Sequence, residues 1–584
     1  MKPQKMIESL EWLRRDIIGR NMLFETPYGK KPLIYADYTA SGRGLHTVEN
    51  YIQYILQYYA NSHTVDDFTG KTMTNLLHEA EMIVKDAVNA GPKGKIIFTE
   101  SGCTGAIVKL QQILGVYWPP ATKKRVSSFL DSCKDNHPEP MACCNALTKY
   151  MDDHKPIVFI GPYEHHSNEL MWRMTLCEVI EIPLNDESNL DLIALENAVS
   201  DPKYADRPKI GSFSAASNVS GLRTDVYEVA RILHKHDSIA CFDFAACAPY
   251  IDIDMNYNDE SYFDAIFISP HKFLGGPGTS GVLIFNEDIY SVHLPPTVSA
   301  GGTVDYVSPM KEEFIKDIET REKPGTPGIL QALRVGMVFQ IKAKIGEETI
   351  TTIENYHYNR FMKELENEPK ISFYGPIETA RKIPIVSFNI RHKDQYLHPK
   401  FVTRLLSDLF GIQTRAGCSC AGPYGHFLMN IGQNVSDLYR CIITNAGYSG
   451  IKPGWARLNL HYILDDNEVS YLIDAVKFIC KHGHRFLQVY YFDLKSGEWS
   501  YKGESNLSGL KLNINEAFER EPFVHSQPDN ELHLLSQAMA YAEEEALKLD
   551  EPKEFLTFDK ELADLMYFYV CKIKPIETKR CKDL

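Results

Sequence analysis

At 584 residues the chain is long enough for two or three domains. Its 44% hydrophobic and 24% charged residues give the composition of a soluble globular protein without a low-complexity tract. A formal charge of -15 argues against tracking nucleic-acid phosphates, which needs a basic field, and no apolar run approaches the roughly 20 residues of a bilayer span. The 13 cysteines are scattered without a framework, which fits reduced thiols in the cytoplasm.

The first 20 residues lack the apolar core of a signal peptide, and Glu8, Glu11 and Asp16 count against an acid-poor transit peptide. Ile7, Leu10, Leu13, Ile17 and Ile18 recur at helical spacing, so residues 1–30 are expected to hold an amphipathic docking helix. From about 94 to 286, short apolar runs alternate with helix-like stretches. Strands are expected at 95–99, 157–160, 178–182, 210–213, 239–242, 265–268 and 281–285, with helices at 105–114, 191–200 and 225–236. Such alternation predicts an α/β architecture, a mostly parallel sheet covered by helices, whose ligands bind beyond the strand C-termini. Residues 119–156, with Pro-Pro, a basic cluster and Cys143-Cys144, interrupt the pattern as a surface insertion. The expected division is a large domain at 31–325, a smaller α+β domain at 326–484 and a C-terminal extension at 485–584. The extension opens on a β-hairpin at 490–501 and carries a helix near 530–549.

The candidate site residues fall just after strands. Ser269-Pro270-His271-Lys272 follows the apolar run 265–268 and precedes a glycine-rich bend. A partly desolvated lysine there has a lowered pKa, and its neutral amine forms imines with carbonyls, as in a lysine that carries pyridoxal 5'-phosphate. Ser101-Gly102-Cys103-Thr104 lies between a strand and a helix, where backbone N–H groups accommodate a phosphate. Asp243 ends the run 239–243; it serves as a loop cap or as the partner of a protonated pyridine nitrogen. Glu164-His165-His166 and Ser217-Asn218 also follow strands, His165 being either a structural histidine or a ring to stack on the pyridine.

Together these segments resemble the class V aminotransferase group of fold-type I pyridoxal-phosphate enzymes, especially cysteine desulfurases of the SUF type and molybdenum-cofactor sulfurase domains. The resemblance spans about residues 30–480 and also includes residues 35–41, Asn61-Ser62-His63, Gly301-Gly302-Thr303 and Pro324-Gly325-Thr326-Pro327. It implies that Lys272 holds the cofactor, Asp243 pairs with the pyridine nitrogen and His165 stacks on the ring. Cys103, Thr104, Ser269 and His271 would surround the phosphate. Thr303 would reach the phosphate of a partner subunit, which implies a homodimer. Asn218 would lie near the cofactor's phenolic oxygen and the substrate, with His63 also at the substrate. Ala246 stands where many desulfurases carry Gln, so that side-chain contact is missing here.

Arg415-Ala416-Gly417-Cys418-Ser419-Cys420-Ala421-Gly422-Pro423 resembles the loop of the desulfurase nucleophile, with Cys420 at the nucleophile position. Arg415 favours a thiolate electrostatically, and Cys418 is either a relay thiol or incidental. A zinc reading of Cys418, Cys420 and His426 lacks a fourth ligand, so no metal is expected. Arg457 matches the family arginine that clamps a substrate α-carboxylate, a task suited to a bidentate guanidinium. The resemblance therefore implies conversion of L-cysteine to L-alanine with a persulfide on Cys420, for delivery to a protein sulfur acceptor. Other class V reactions (C–S lyase, selenocysteine lyase, aminotransferase) remain open, as does a cofactor-binding scaffold acting through the C-terminal region.

Overall fold

The run Ala265–Ile268 is buried on both faces: Ile266 and Ile268 enter one hydrophobic core, Ala265 and Phe267 another. This is why it reads as an uninterrupted apolar run rather than an alternating one. The same division of odd and even positions recurs along Ile157–Ile160 and Gly281–Asn286. Each such side chain contributes about 1.5–3 kcal/mol through burial. The computed structural model describes residues 2–20, 22–62, 64–136, 149–150, 153–377, 381–503, 531–558 and 560–574.

These runs form a seven-stranded sheet. Its strands are β1 (Gly94–Thr99), β2 (Ile157–Ile160), β3 (Glu178–Glu181), β4 (Lys209–Ser214), β5 (Ser238–Asp243), β6 (Ala265–Ile268) and β7 (Gly281–Asn286). Their order is β1-β7-β6-β5-β4-β2-β3, and only β7 runs antiparallel to its neighbours. All seven expected strands are present, and the expected mostly parallel α/β sheet is the observed one.

The N-terminal segment differs from expectation. Instead of one docking helix over residues 1–30 there are two short ones, α1 (Pro3–Ser9) and α2 (Glu11–Asp16), followed by a hairpin of Leu23–Thr26 with Gly29–Pro32. The break falls at Leu10, whose φ of -92° and ψ of 6° leave the helical region. Arg14 is buried and donates to the Ile7 and Ile463 carbonyls, while Ile7, Leu10, Leu13 and Ile17 still enter the large core.

Helices α3 (Gly102–Ile113), α4 (His166–Arg173) and α5 (Val226–Lys235) follow β1, β2 and β4. In the insertion, Pro120–Asn136 is helical; Cys143 and Cys144 lie outside the described residues. Helix α6 (Ile329–Ile345) packs its Val335, Val338 and Phe339 into the large-sheet core, although residue 326 was expected to open the small domain. The core changes only within α7 (Glu347–Leu365): Ile350 and Ile353 belong to the large core, Tyr358 and Phe361 to a second one.

The second core lies under an antiparallel sheet of β8 (Ile371–Phe373), β9 (Ile385–His392), β10 (Arg415–Gly417) and β11 (Trp455–Asn459), in the order β8-β9-β11-β10. Helices α8 (Pro399–Phe410), α9 (Gly422–Leu428), α10 (Gln433–Asn445) and α11 (Asp466–His482) complete it. The hairpin β12 (Tyr490–Phe492) and β13 (Trp499–Tyr501) matches expectation, as does α12 (Glu531–Lys548). Tyr490, Phe492, Trp499, Leu535, Ala542 and Phe568 are all buried in this second core. No helix among the described residues is long and apolar enough to cross a membrane.

Candidate active site

The C-terminal ends of β4, β5 and β6 and the turns after β1 and β2 open onto one cavity of about 270 Å³, closed on the far side by the thiol loop and by β11. Every residue assigned from the sequence to the cofactor, the substrate or catalysis lines it except His63 and Thr303; Cys418 and His426 do not line it either. His63 lies outside the described residues, though its neighbour Asn61 donates to Thr326 at 3.1 Å, joining two of the sequence motifs. Thr303 is buried off the cavity wall, its hydroxyl donating to the Ala300 carbonyl at 2.8 Å.

Lys272 ends a short 3₁₀ turn, Pro270–Lys272, directly after β6. Desolvation pushes its ammonium below the usual lysine range and Arg457 adds to the effect, while Cys103 and Asp243 oppose it. Asp243 ends β5, buried, accepting the Ala245 N–H at 2.8 Å; burial holds its carboxyl above the usual range, partly offset by that bond, Lys272 and the Cys103 thiol. Burial also pushes the Cys103 thiol well up, so it stays protonated beside the carboxylate.

At the start of α3 the backbone of Gly102 has φ +58°, and a Cβ there would stand 2.9 Å from Ser269 Oγ and 3.0 Å from His271 Cε1. Cys103 N–H donates to Ser269 Oγ at 2.9 Å, and Thr104 and Ser167 share a 2.7 Å hydroxyl contact. Two hydroxyls, an imidazole and a helix N-terminus thus surround a cradle that only glycine leaves open. Burial and then Lys272 lower His271 to about 4, so it is a neutral donor or acceptor at pH 7.

His165 caps α4, its Nδ1 accepting the Ser167 N–H at 3.2 Å, which places the neutral ring's proton on Nε2. Burial, then Lys272, lowers it to about 4. Beside it Glu164 is buried and accepts from Gly161 N–H, Ser214 N–H, Ser214 hydroxyl and Asn168 Nδ2 at 2.5–3.1 Å. Burial still pushes its pKa up to about 7. This network ties the ends of β2 and β4 together; the sequence reading noticed Glu164 without a role for it.

Arg415 and Arg457 are direct cross-strand partners in the β10–β11 ladder. Like charges so placed repel, and Asp37 lies between them, with Oδ2 2.9 Å from Arg415 Nε and Oδ1 3.2 Å from Arg457 Nη2. Asp37 reaches this place because Ile34–Tyr35 pairs in parallel with Ile412–Gln413. Arg457 also donates from Nη1 to the Asn218 carbonyl at 2.9 Å, and its buried Nε has no protein partner. Asp37 was missed as a site residue; its signal was its place within the motif at 35–41.

Cys420 enters the cavity on a tight turn after β10. The Ser419 carbonyl accepts Asn218 Nδ2 at 2.6 Å and the Cys420 carbonyl accepts His166 N–H at 2.8 Å. Asn218 therefore commits one amide hydrogen to the thiol turn, while its buried Oδ1 has no protein partner. Ala245 and Ala246 form an adjoining wall, without the amide that Gln would bring. Among the described residues no three His, Cys, Asp or Glu side chains are grouped as metal ligands.

The site is thus a strand-end crevice on a mostly parallel sheet, with a desolvated lysine, a buried carboxylate and a helix N-terminal cradle. The aminotransferase class-V model matches residues 142–444, more than half of the chain, and the chain belongs to that family, an enzyme family that works with pyridoxal 5'-phosphate. A probable cysteine desulfurase of Streptomyces coelicolor is 24% identical over 396 residues, covering 67% of this chain and 84% of that protein. One from Pyrococcus abyssi is 30% identical over 266 residues, 45% of this chain and 62% of its own. The fold matches the apo cysteine desulfurase of Thermococcus onnurineus with a TM-score of 0.60 at 24% identity, over 77% of this chain and 95% of that one. The S-sulfonic acid form of an Escherichia coli cysteine desulfurase matches with a TM-score of 0.56 at 18% identity, over 76% and 93%.

Proposed function

We propose that the protein is a pyridoxal-phosphate-dependent cysteine desulfurase that converts L-cysteine to L-alanine and leaves a persulfide on Cys420. The observation that carries this reading is the meeting of Lys272, Cys420 and Arg457 in the lining of one cavity. The relatives named above, cysteine desulfurases from several organisms, support the same activity.

The residues present fit the cofactor. The Gly102 cradle, with Thr104, Ser269 and His271, suits a phosphate; the buried Asp243 suits a pyridinium nitrogen, and the neutral His165 ring suits stacking. When bound, pyridoxal phosphate supplies the electron sink that lets a proton leave the substrate Cα. Lys272 supplies the amine for covalent attachment and, with its lowered pKa, the base that takes that proton. Arg457, its Nε unpaired, offers a donor to the substrate carboxylate, and Arg415 adds positive charge at the same wall. Cys420 receives the sulfur: its thiolate bonds the substrate Sγ, the Cβ–Sγ bond breaks with its electron pair left to Cβ, Cβ takes up a proton to become the methyl group of alanine, and the sulfur stays on Cys420 as a persulfide.

The test compares Lys272→Ala and Cys420→Ala. The first is expected to lose the cofactor's visible absorbance band; the second is expected to keep it while alanine and sulfide formation from cysteine disappear. Normal alanine formation by Cys420→Ala overturns the nucleophile, and pyruvate in place of alanine identifies a C–S lyase.

A homodimer belongs to this reading. Tyr306, Val307 and Met310 follow Thr303 as exposed apolar residues, and Tyr54, Leu56 and Phe68 are a second exposed set. Sedimentation of the full chain is expected to give twice the monomer mass. Cys103, Cys177, Cys241, Cys247, Cys418, Cys420, Cys441, Cys480 and Cys571 carry free thiols, which supports the cytoplasm as the working compartment; a protein as the final sulfur acceptor is part of the same reading.

A further inference from the structure

We propose that Cys418 is a resolving thiol that closes a disulfide with Cys420 and expels the bound sulfur as sulfide. The step rests on the assignment of the persulfide to Cys420. Cys418 through Ala421 form a β-turn closed by Ala421 N–H to the Cys418 carbonyl at 3.1 Å. Both central residues have positive φ, Ser419 at 52° and Cys420 at 57°. This is the mirror-image turn that glycine and asparagine normally occupy, and each other residue there costs about 1–2 kcal/mol.

The strain is held in place from three sides. The Cys418 carbonyl is taken by Ala421, the Ser419 carbonyl by Asn218 and the Cys420 carbonyl by His166. A chain folded back at Ser419 brings the Cα atoms of 418 and 420 to about 5–6 Å, within the span that a disulfide bridges. Both thiols are exposed, whereas Cys103, Cys241, Cys247 and Cys480 are buried. Gly417, directly before Cys418, has φ +126°, a backbone conformation open to glycine and rare for other residues.

The Cys418 thiolate attacks the Sγ of Cys420, and the bond between that Sγ and the outer sulfur breaks. The outer sulfur leaves as hydrosulfide with the electron pair, reduced by two electrons, and the two cysteine sulfurs together are oxidised by two. Arg415 and Arg457 on the same wall favour a departing anion. A small-molecule or protein dithiol then resets the pair. Without an acceptor the enzyme discharges its sulfur once and stops in the disulfide form.

The test has two arms on the full-length holoenzyme, each read by mass spectrometry of the peptide spanning 415–423 after thiol alkylation. Mild oxidation with diamide, without cysteine, is expected to give a wild-type peptide two hydrogens lighter and unalkylated, and Cys418→Ser is expected to lack this product. After one turnover with L-cysteine and no reductant, wild type is expected to release one sulfide per alanine. Cys418→Ser is expected to form equal alanine, retain an extra sulfur on the peptide and release sulfide at least about tenfold less. Equal sulfide release by the two proteins, a persulfide that persists in wild type, or no disulfide under diamide each overturns the proposal. Failure of the parent assignment is separate: wild type makes no alanine, or Cys420→Ala makes it undiminished.

Discussion

Among single residues, Asp37 has a role that the motif at 35–41 contained but did not explain. It separates two arginines that the β10–β11 ladder places face to face, and it leaves the buried Arg457 with one donor to spare. Asp37→Asn leaves two like charges opposed, so Arg457 is expected to shift. KM for cysteine is predicted to rise about tenfold with a smaller change in kcat, as steady-state kinetics will read, because ground-state clamping is what is lost. Glu164 yields a pH signature. Its folded pKa is raised to about 7 from 4.5, so its contribution to stability is complete below about pH 4.5 and fades as pH rises through 7. The Tm advantage of wild type over Glu164→Gln is therefore expected to shrink between pH 5 and 8, by an amount on the order of 3 kcal/mol in free energy. Lys272, Asp243 and Cys420 were legible as residues of one cavity because each ends or follows a strand within a longer motif. Asp37 and Glu164 were not, since a carboxylate is a common surface residue until its neighbours are known.

At the scale of elements, the sheet shows why strands were easy to read and helices less so. The central strands are short apolar runs buried on both faces, and all seven strands, the edge strand β3 included, were found within a residue or two. The N-terminal helix was misjudged because periodicity counts apolar residues and is blind to a buried Arg14 that bonds the Ile7 carbonyl where the helix breaks. The turn between β1 and α3 carries the most exacting backbone of the site. Gly102→Ala adds a methyl 2.9 Å from Ser269 Oγ at a φ of +58°. It is expected to weaken cofactor retention at least about tenfold in an equilibrium dialysis of pyridoxal phosphate, with about 1–2 kcal/mol lost from the unliganded protein.

For the whole molecule, the C-terminal region was expected as an extension, and its described residues share the second core. Tyr490, Phe492, Trp499, Leu535 and Phe568 are buried beside Phe401, Leu405 and Ile479. Truncation after residue 484 uncovers that core, and the product is predicted to be insoluble or to lose its cooperative melt by circular dichroism, rather than to be active and merely partner-free. Sequence composition showed no such dependence because a change of character at 485 looks the same for an appended module and for a late layer of one core. Helix α7 has a consequence of its own. Its first half is bolted into one core by Ile350 and Ile353 and its second half into the other by Tyr358 and Phe361, with Glu354 buried between them. A single unbroken rod anchored at both ends resists any clamshell opening of the crevice. With the two cores tied together in this way, the turn at 418–421 is expected to be the part of the crevice wall that yields, rather than a hinge between domains.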